Sequence, residues 1–262
     1  MIHLMTCGPS WLIELSPLLI AALTLVAFAA GFISSIAGAG GLLTLPVLLW
    51  AGLPPINALA TNKLQSSLGS LSSSWNFYRK GHLHLYEIRW SLGLALFGAI
   101  CGTFTVQHMG NEVLVRLIPV LLIVIAVYFL FSPRVADHST TPRLSSKQFA
   151  VVAALPMGFY GGFFGPGMGS ILPFLFVWLC GYNLRKATAQ TKVMILLVNG
   201  SSALLFALRG DVLWELALCM SVAQIIGARI GSNMVISRGA ILIQPLIVAV
   251  TLALAVKLLF FN

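Results

Sequence analysis

Apolar residues run along this chain in long blocks separated by short polar turns, and a block of about 20 residues is what one bilayer crossing requires. The first, Ser16 to Ala37, has that length. Gly38, Gly40 and Gly41 interrupt it, and the next block, Leu42 to Gly52, is short and carries Pro46. Backbone broken at membrane depth is tolerated only where protein or a water-filled cavity satisfies it, so this piece is expected to be a short crossing helix or a re-entrant one. Pro54 and Pro55 mark a turn. A third helix, Asn57 to Phe77, is unusually polar: Lys63, Ser67, Ser70 and Ser74 recur at helical spacing on one face, which is expected to point into the bundle. After the basic loop Arg79 to His82 come crossings at Trp90 to Gln107 and Val113 to Phe131. Small residues Gly93, Gly98, Ala99 and Gly102 in the first of these permit close helix contact.

The same order then returns. Gln148 to Phe164 is a span, Gly165, Pro166, Gly167 and Gly169 form a break, and Ser170 to Gly181 is the short block. Asn183 to Leu208 is the polar helix, followed by Leu213 to Ser232 and Gly239 to Phe260. Gly31, Phe32, Gly38, Gly40 and Pro46 match Gly158, Phe159, Gly165, Gly167 and Pro173 at an offset of 127 residues, and Lys63, Gly98 and Gly102 match Lys192, Gly227 and Gly231 at 129. The chain therefore reads as two homologous halves, residues 1–131 and 147–262, joined by the polar linker 132–146.

Composition narrows the class further. With 59% hydrophobic and 8% charged residues, the protein is expected to be an all-α, polytopic integral membrane protein. The net charge of +9 does not signal nucleic acid, because the basic residues lie in short loops and form no stripe. Four scattered cysteines indicate neither a disulfide framework nor a zinc site, and no metal or cofactor is expected. The N-terminus lacks the basic region and cleavage site of a signal peptide, so the first helix is expected to be retained. If all five segments of each half cross, the halves are inverted and nine Lys and Arg face inside against two outside. With re-entrant short segments the best division is seven to four, so the inverted arrangement of about ten segments is preferred.

Lys63, Lys192, Arg229 and Lys257 fall within apolar segments, where a charge costs at least about 2.5 kcal/mol on insertion scales. Lys257 stands near a helix end and can snorkel. The acidic residues Glu14, Glu87, Glu112, Asp137, Asp211 and Glu215 all lie in loops or at segment ends, so buried positive charge without carboxylates points to an anionic ligand. Helices that start after Gly40 and Gly167 would add the partial positive charge of their unpaired N–H groups. The candidate substrate-binding set is Lys63, Lys192, Thr61, Asn62, Gln65, Gln190, Thr191, Asn199 and Arg229, with Gly38, Gly40, Gly41, Gly165, Gly167 and Gly169 and the nearby Ser34 and Ser35.

No enzyme is expected. The sequence has no HExxH, no GK[ST] phosphate loop, no GxGxxG and no intramembrane aspartate pair, and every histidine lies at a loop or segment end away from Ser170.

The stretches GFISSIAGAGGLLTLPVLL with INALATNKLQ, and GFFGPGMGS with KATAQTKV, resemble the TauE/SafE sulfite exporter family of bacterial inner-membrane proteins over nearly the whole chain. The resemblance implies a permease for small sulfur-containing anions such as sulfite and organosulfonates, built from a duplicated unit with seven to nine crossings. The partners it implies are a small anion and the lipid bilayer. An anion channel and a non-transporting membrane protein are the competing readings.

Overall fold

The computed structural model describes residues 16–131 and 141–238, and these are helical throughout apart from turns. The fifth segment of the second half, most of the linker and Lys257 lie outside the described residues. Helix α1 (Pro17–Ala37) starts at Ser16, whose side chain accepts from the Leu19 N–H. It stops at Gly38, whose left-handed φ of 73° costs glycine little. α2 (Gly40–Trp50) follows at once, then α3 (Pro55–Arg79). A 3-10 turn (Leu85–Ile88) leads into α4 (Arg89–Gln107), and α5 (Asn111–Phe131) closes this part.

The second part opens with α6 (Ser146–Phe149), capped by a reciprocal Ser145–Gln148 pair. A π-helical turn, Ala150–Ala154, joins it to α7 (Leu155–Phe163). α8 (Met168–Cys180), α9 (Leu184–Arg209), capped by Asn183, and α10 (Trp214–Arg238) follow. Four stretches among the described residues are long and apolar enough to cross a membrane: Pro17–Ala37, Leu85–Gln107, Leu184–Arg209 and Trp214–Ile236. α2 and α8 are shorter apolar helices, and at 1.5 Å per residue α2 reaches only about 16 Å of a hydrocarbon core of about 30 Å.

α1 packs on α10 and α4 packs on α7, while α3 and α9 lie against one another and reach α10 and α4 respectively. Without a hydrophobic force between helices in lipid, such contacts depend on backbones coming close. Gly227 and Gly231 of α10 sit on the main chain of Phe28 and Phe32, and Gly98 and Gly102 of α4 sit on that of Leu155, Phe159 and Phe163. A methyl group at any of the four would strike that backbone. Hydrogen bonds then tie the polar helices: Thr103 donates to Ser202 (2.8 Å), joining α4 to α9, and Asn76 donates to Ser232 (2.7 Å), joining α3 to α10.

Polar groups gather at two separate places. At one, Lys186 pairs with Glu87 (2.7 Å), Tyr182 donates to the same carboxylate (3.0 Å), and Ser146 donates to the Glu87 carbonyl (2.7 Å). Arg89 and Lys147 flank the Trp90 ring nearby. At the other, Asn57 donates to the Asp211 carbonyl (2.8 Å), Arg209 lies 3.7 Å from the Asp211 carboxylate, and its guanidinium donates to the Gln107 carbonyl.

Candidate functional site

The two glycine breaks meet. Gly38 and Gly169 lie backbone against backbone, so closely that a Cβ on either would overlap the other. Gly41 faces Pro166, Ser170 donates its hydroxyl proton to the Ala37 carbonyl, and Tyr160 donates to the Pro166 carbonyl. Bare backbone at Gly38 and Gly169 is what permits this approach of two interrupted helices, the Ser170 hydroxyl fastens it, and Tyr160 braces the second break internally.

Both lysines are fully inside, Lys63 at 1% exposure and Lys192 at 2%, with no snorkelling to an interface. The polar face of α3 lies inward as its spacing predicts, with Ser67, Ser70 and Ser74 also buried. Lys63 Nζ donates to the main-chain carbonyl of Gly161 in α7 and lies 3.5 Å from Asn199 Oδ1. It also sits over Gly165, where a Cβ would come within 2.7 Å of Nζ. Lys192 Nζ donates to the main-chain carbonyl of Ser34 in α1. The two lysines are 129 residues apart and the two accepting carbonyls 127, the offsets already found between the repeated motifs.

Each ammonium thus ends on a carbonyl in the last turn of a broken helix. Such a turn carries about half a unit of negative charge, which each ammonium meets; the Ser34 carbonyl also accepts from the Gly38 N–H (2.8 Å), so Lys192 adds a second bond to it. The structure gives the lysines to the carbonyl ends of α1 and α7. The helices after the breaks begin at Gly40, which packs on Ser34, and at Met168. An ammonium carries three N–H donors, and one carbonyl takes only one of them.

The other candidates divide. Asn62 Oδ1 accepts from Thr44 (2.6 Å) and from Gln65 Nε2 (3.1 Å), so Asn62 ties α3 to α2. Gln190 Nε2 donates to the His84 carbonyl (3.1 Å). Thr61 Oγ1, Thr191 Oγ1, Gln65 Oε1 and Gln190 Oε1 are buried without a hydrogen-bond partner. Arg229 is half-buried on α10 and enters none of the bonds that hold the two lysines. The acidic residues Glu87, Glu112, Asp211 and Glu215 stand in turns or first turns of helices, as the sequence places them. Tyr160, Thr44 and Gln224 were not singled out by the sequence, and neither were the carbonyls of Ser34 and Gly161. Main-chain acceptors leave no trace in residue identity.

A sequence model described as Sulfite exporter TauE/SafE matches residues 23–258. The chain belongs to the TauE/SafE family. It is 44% identical to the "Probable membrane transporter protein YfcA" of Escherichia coli strain K12, over 95% of this chain and 93% of that one. A "Probable membrane transporter protein" of Haemophilus influenzae is 41% identical over 92% of this chain and 95% of its own length. The "Probable membrane transporter protein YdhB" of Bacillus subtilis is 24% identical over 87% of this chain. No solved structure matches significantly. This TauE/SafE chain is a membrane protein of a transporter family, and its lysine-bearing breaks lie within the matched region.

Proposed function

We propose that this TauE/SafE protein moves a small sulfur-containing oxyanion across the bacterial inner membrane, by alternating access at a site between two homologous halves. The observation that carries the reading is the pair of buried lysines, each reaching a broken helix on the opposite side of the 132–146 linker. The family match and the family's description as sulfite exporters support the substrate class.

In this reading residues 1–131 and 147–262 form an inverted repeat of about ten membrane segments. The packing of α1 with α10 and of α4 with α7 at offset-related glycines supports it. So does charge: Lys186 pairs with Glu87 beside Arg89 and Lys147, while Arg209 sits apart with Gln107 and Asp211. Ten crossings place these two groups on opposite faces, whereas eight crossings would place Lys186 opposite Arg89 and put Arg209 with it.

Mechanistically, the anion takes the N–H donors that the carbonyls of Gly161 and Ser34 leave free. Transport then needs only that the two halves rock about the Gly38–Gly169 contact, since the same lysines face either side. Thr61, Asn62, Gln65, Gln190, Thr191 and Asn199 supply neutral hydrogen bonds around it, and Gly40, Gly41 and Gly167 open the helix starts.

A thermal-shift series on purified protein against sulfite, thiosulfate, sulfate and methanesulfonate tests the substrate class. At 100 times its Kd a specific anion stabilises by about 2.7 kcal/mol, so one sulfur oxyanion should raise the melting temperature in a saturable way. Equal responses to all four and to chloride contradict a specific site.

A further inference from the structure

Two buried carboxamide oxygens, of Gln65 two residues beyond Lys63 and of Gln224 on α10, have nothing to accept. Gln65 is fully buried, and its Nε2 is committed to Asn62 Oδ1, itself held by Thr44. That fixes the orientation of the amide and leaves Gln65 Oε1 as an acceptor without a donor. One helical turn further along α3, on the same face, stands Gly69, and Gln224 of α10 packs directly on it. Gln224 is 2% exposed, and its Oε1 also has no partner. On its other side Gln224 packs on Gly31, one turn before Ser34, the residue whose carbonyl holds Lys192. Gln224 lies ten residues into α10, about 15 Å along the axis and so at mid-membrane depth.

The repeat offers a comparison. At the offset of 129, Gln224 corresponds to Ala95 and Gly69 to Val198, while Gly31 corresponds to Gly158 at 127. Ala95 packs on Gly158 as Gln224 packs on Gly31. A small residue and a branched one in one half are thus exchanged for a long amide and a glycine in the other. The exchange conserves space and adds a polar group in a place where hydrocarbon suffices to pack. An orphaned acceptor at this depth is costly, and it is relieved by any ligand that brings a donor.

We infer that Gln224, with Gln65, determines specificity by accepting a hydrogen bond from the transported anion, so that the site prefers small anions carrying an O–H or N–H over those without one. This rests on the reading of Lys63 and Lys192 as the anion site, and it assigns the uncharged end of the substrate to the first-half side of that site.

The matched probes are ethanesulfonate and 2-hydroxyethanesulfonate, which differ by one hydroxyl, measured as uptake by proteoliposomes of the full chain. The wild type should favour the hydroxylated anion by about tenfold in KM. In Gln224→Ala with Gly69→Val, which introduces the residues found at Ala95 and Val198, the preference should fall to within twofold as the KM for 2-hydroxyethanesulfonate rises toward that for ethanesulfonate. Gln224→Met, similar in length, serves as a second variant where the double change does not fold, and the same loss of preference is expected. Absence of the preference in the wild type, failure of the wild type to move either sulfonate, or its persistence in a folded variant overturns the inference. Uptake that survives Lys63→Ala and Lys192→Ala with the preference intact sinks the lysine site instead, so the two failures are distinguishable.

Discussion

Gly38 and Gly169 touch backbone to backbone, and through this contact the two interrupted helices cross. Gly38 is constrained twice, by its left-handed φ of 73° and by the neighbour it would strike. Gly81 has nearly the same φ, 72°, with nothing within 4 Å of a Cβ. Gly81→Ala should therefore cost about 1–2 kcal/mol, the strain of the left-handed conformation alone. Gly38→Ala should cost clearly more and should lower transport as well. Thermal unfolding of the two variants side by side checks this, and equal losses would mean that the crossing contact contributes nothing.

The acceptors of the lysines are main-chain carbonyls: replacing Lys63 removes the bond to the Gly161 carbonyl, and replacing Lys192 leaves the Ser34 carbonyl with the Gly38 N–H alone (2.8 Å). Hydrogen bonds from charged groups contribute about 1.5–3 kcal/mol, and Lys63→Met and Lys192→Met should each lose stability of that order while folding. Because Lys63 also approaches Asn199, the loss should be the larger at position 63. Unfolding measurements without added anion give the comparison.

A histidine in the loop beside the Glu87 cluster predicts how the protein responds to acid. His82 is lowered by burial first and then by the charges of Arg185, Lys80 and His84. A histidine held neutral loses stability as pH falls through its unfolded value of about 6.5. Between pH 8 and pH 5.5 the melting temperature should fall through His82. His82→Asn should flatten that slope while Glu87→Gln leaves it intact.

Asn57 and Lys186 stand 129 residues apart, and each bonds the loop beyond the other polar helix: Asn57 the Asp211 carbonyl, Lys186 the Glu87 carboxylate. If the halves rock, these two contacts open alternately. Glu87→Ala should raise amide hydrogen exchange in residues 80–88 and 181–186 and leave residues 210–213 unchanged. Asn57→Ala should do the reverse.

Much of this architecture was legible in the sequence because the bilayer makes patterning stringent. The breaks at Gly38 and Gly165, the short helices, and the inward face of Lys63, Ser67, Ser70 and Ser74 stand where glycine, length and spacing put them. Helix ends moved little, as at α9, which runs from Leu184 to Arg209 where Asn183 to Leu208 was expected. The pairing of α1 with α10 and α4 with α7 was not legible, since small residues announce a close neighbour without naming it. The carbonyl partners of the lysines were invisible for a different reason: they belong to backbone freed by the breaks, and any residue could have provided them.

The central claim is that Lys63 and Lys192 together hold the transported anion. Saturable uptake and counterflow of sulfite by proteoliposomes of wild type, Lys63→Ala and Lys192→Ala measure it most directly. The wild type should show both, and each folded variant should lose uptake by at least about a hundredfold, near the 2.7 kcal/mol that loss of a charge-assisted contact removes. Undiminished sulfite counterflow in both folded variants would contradict the account.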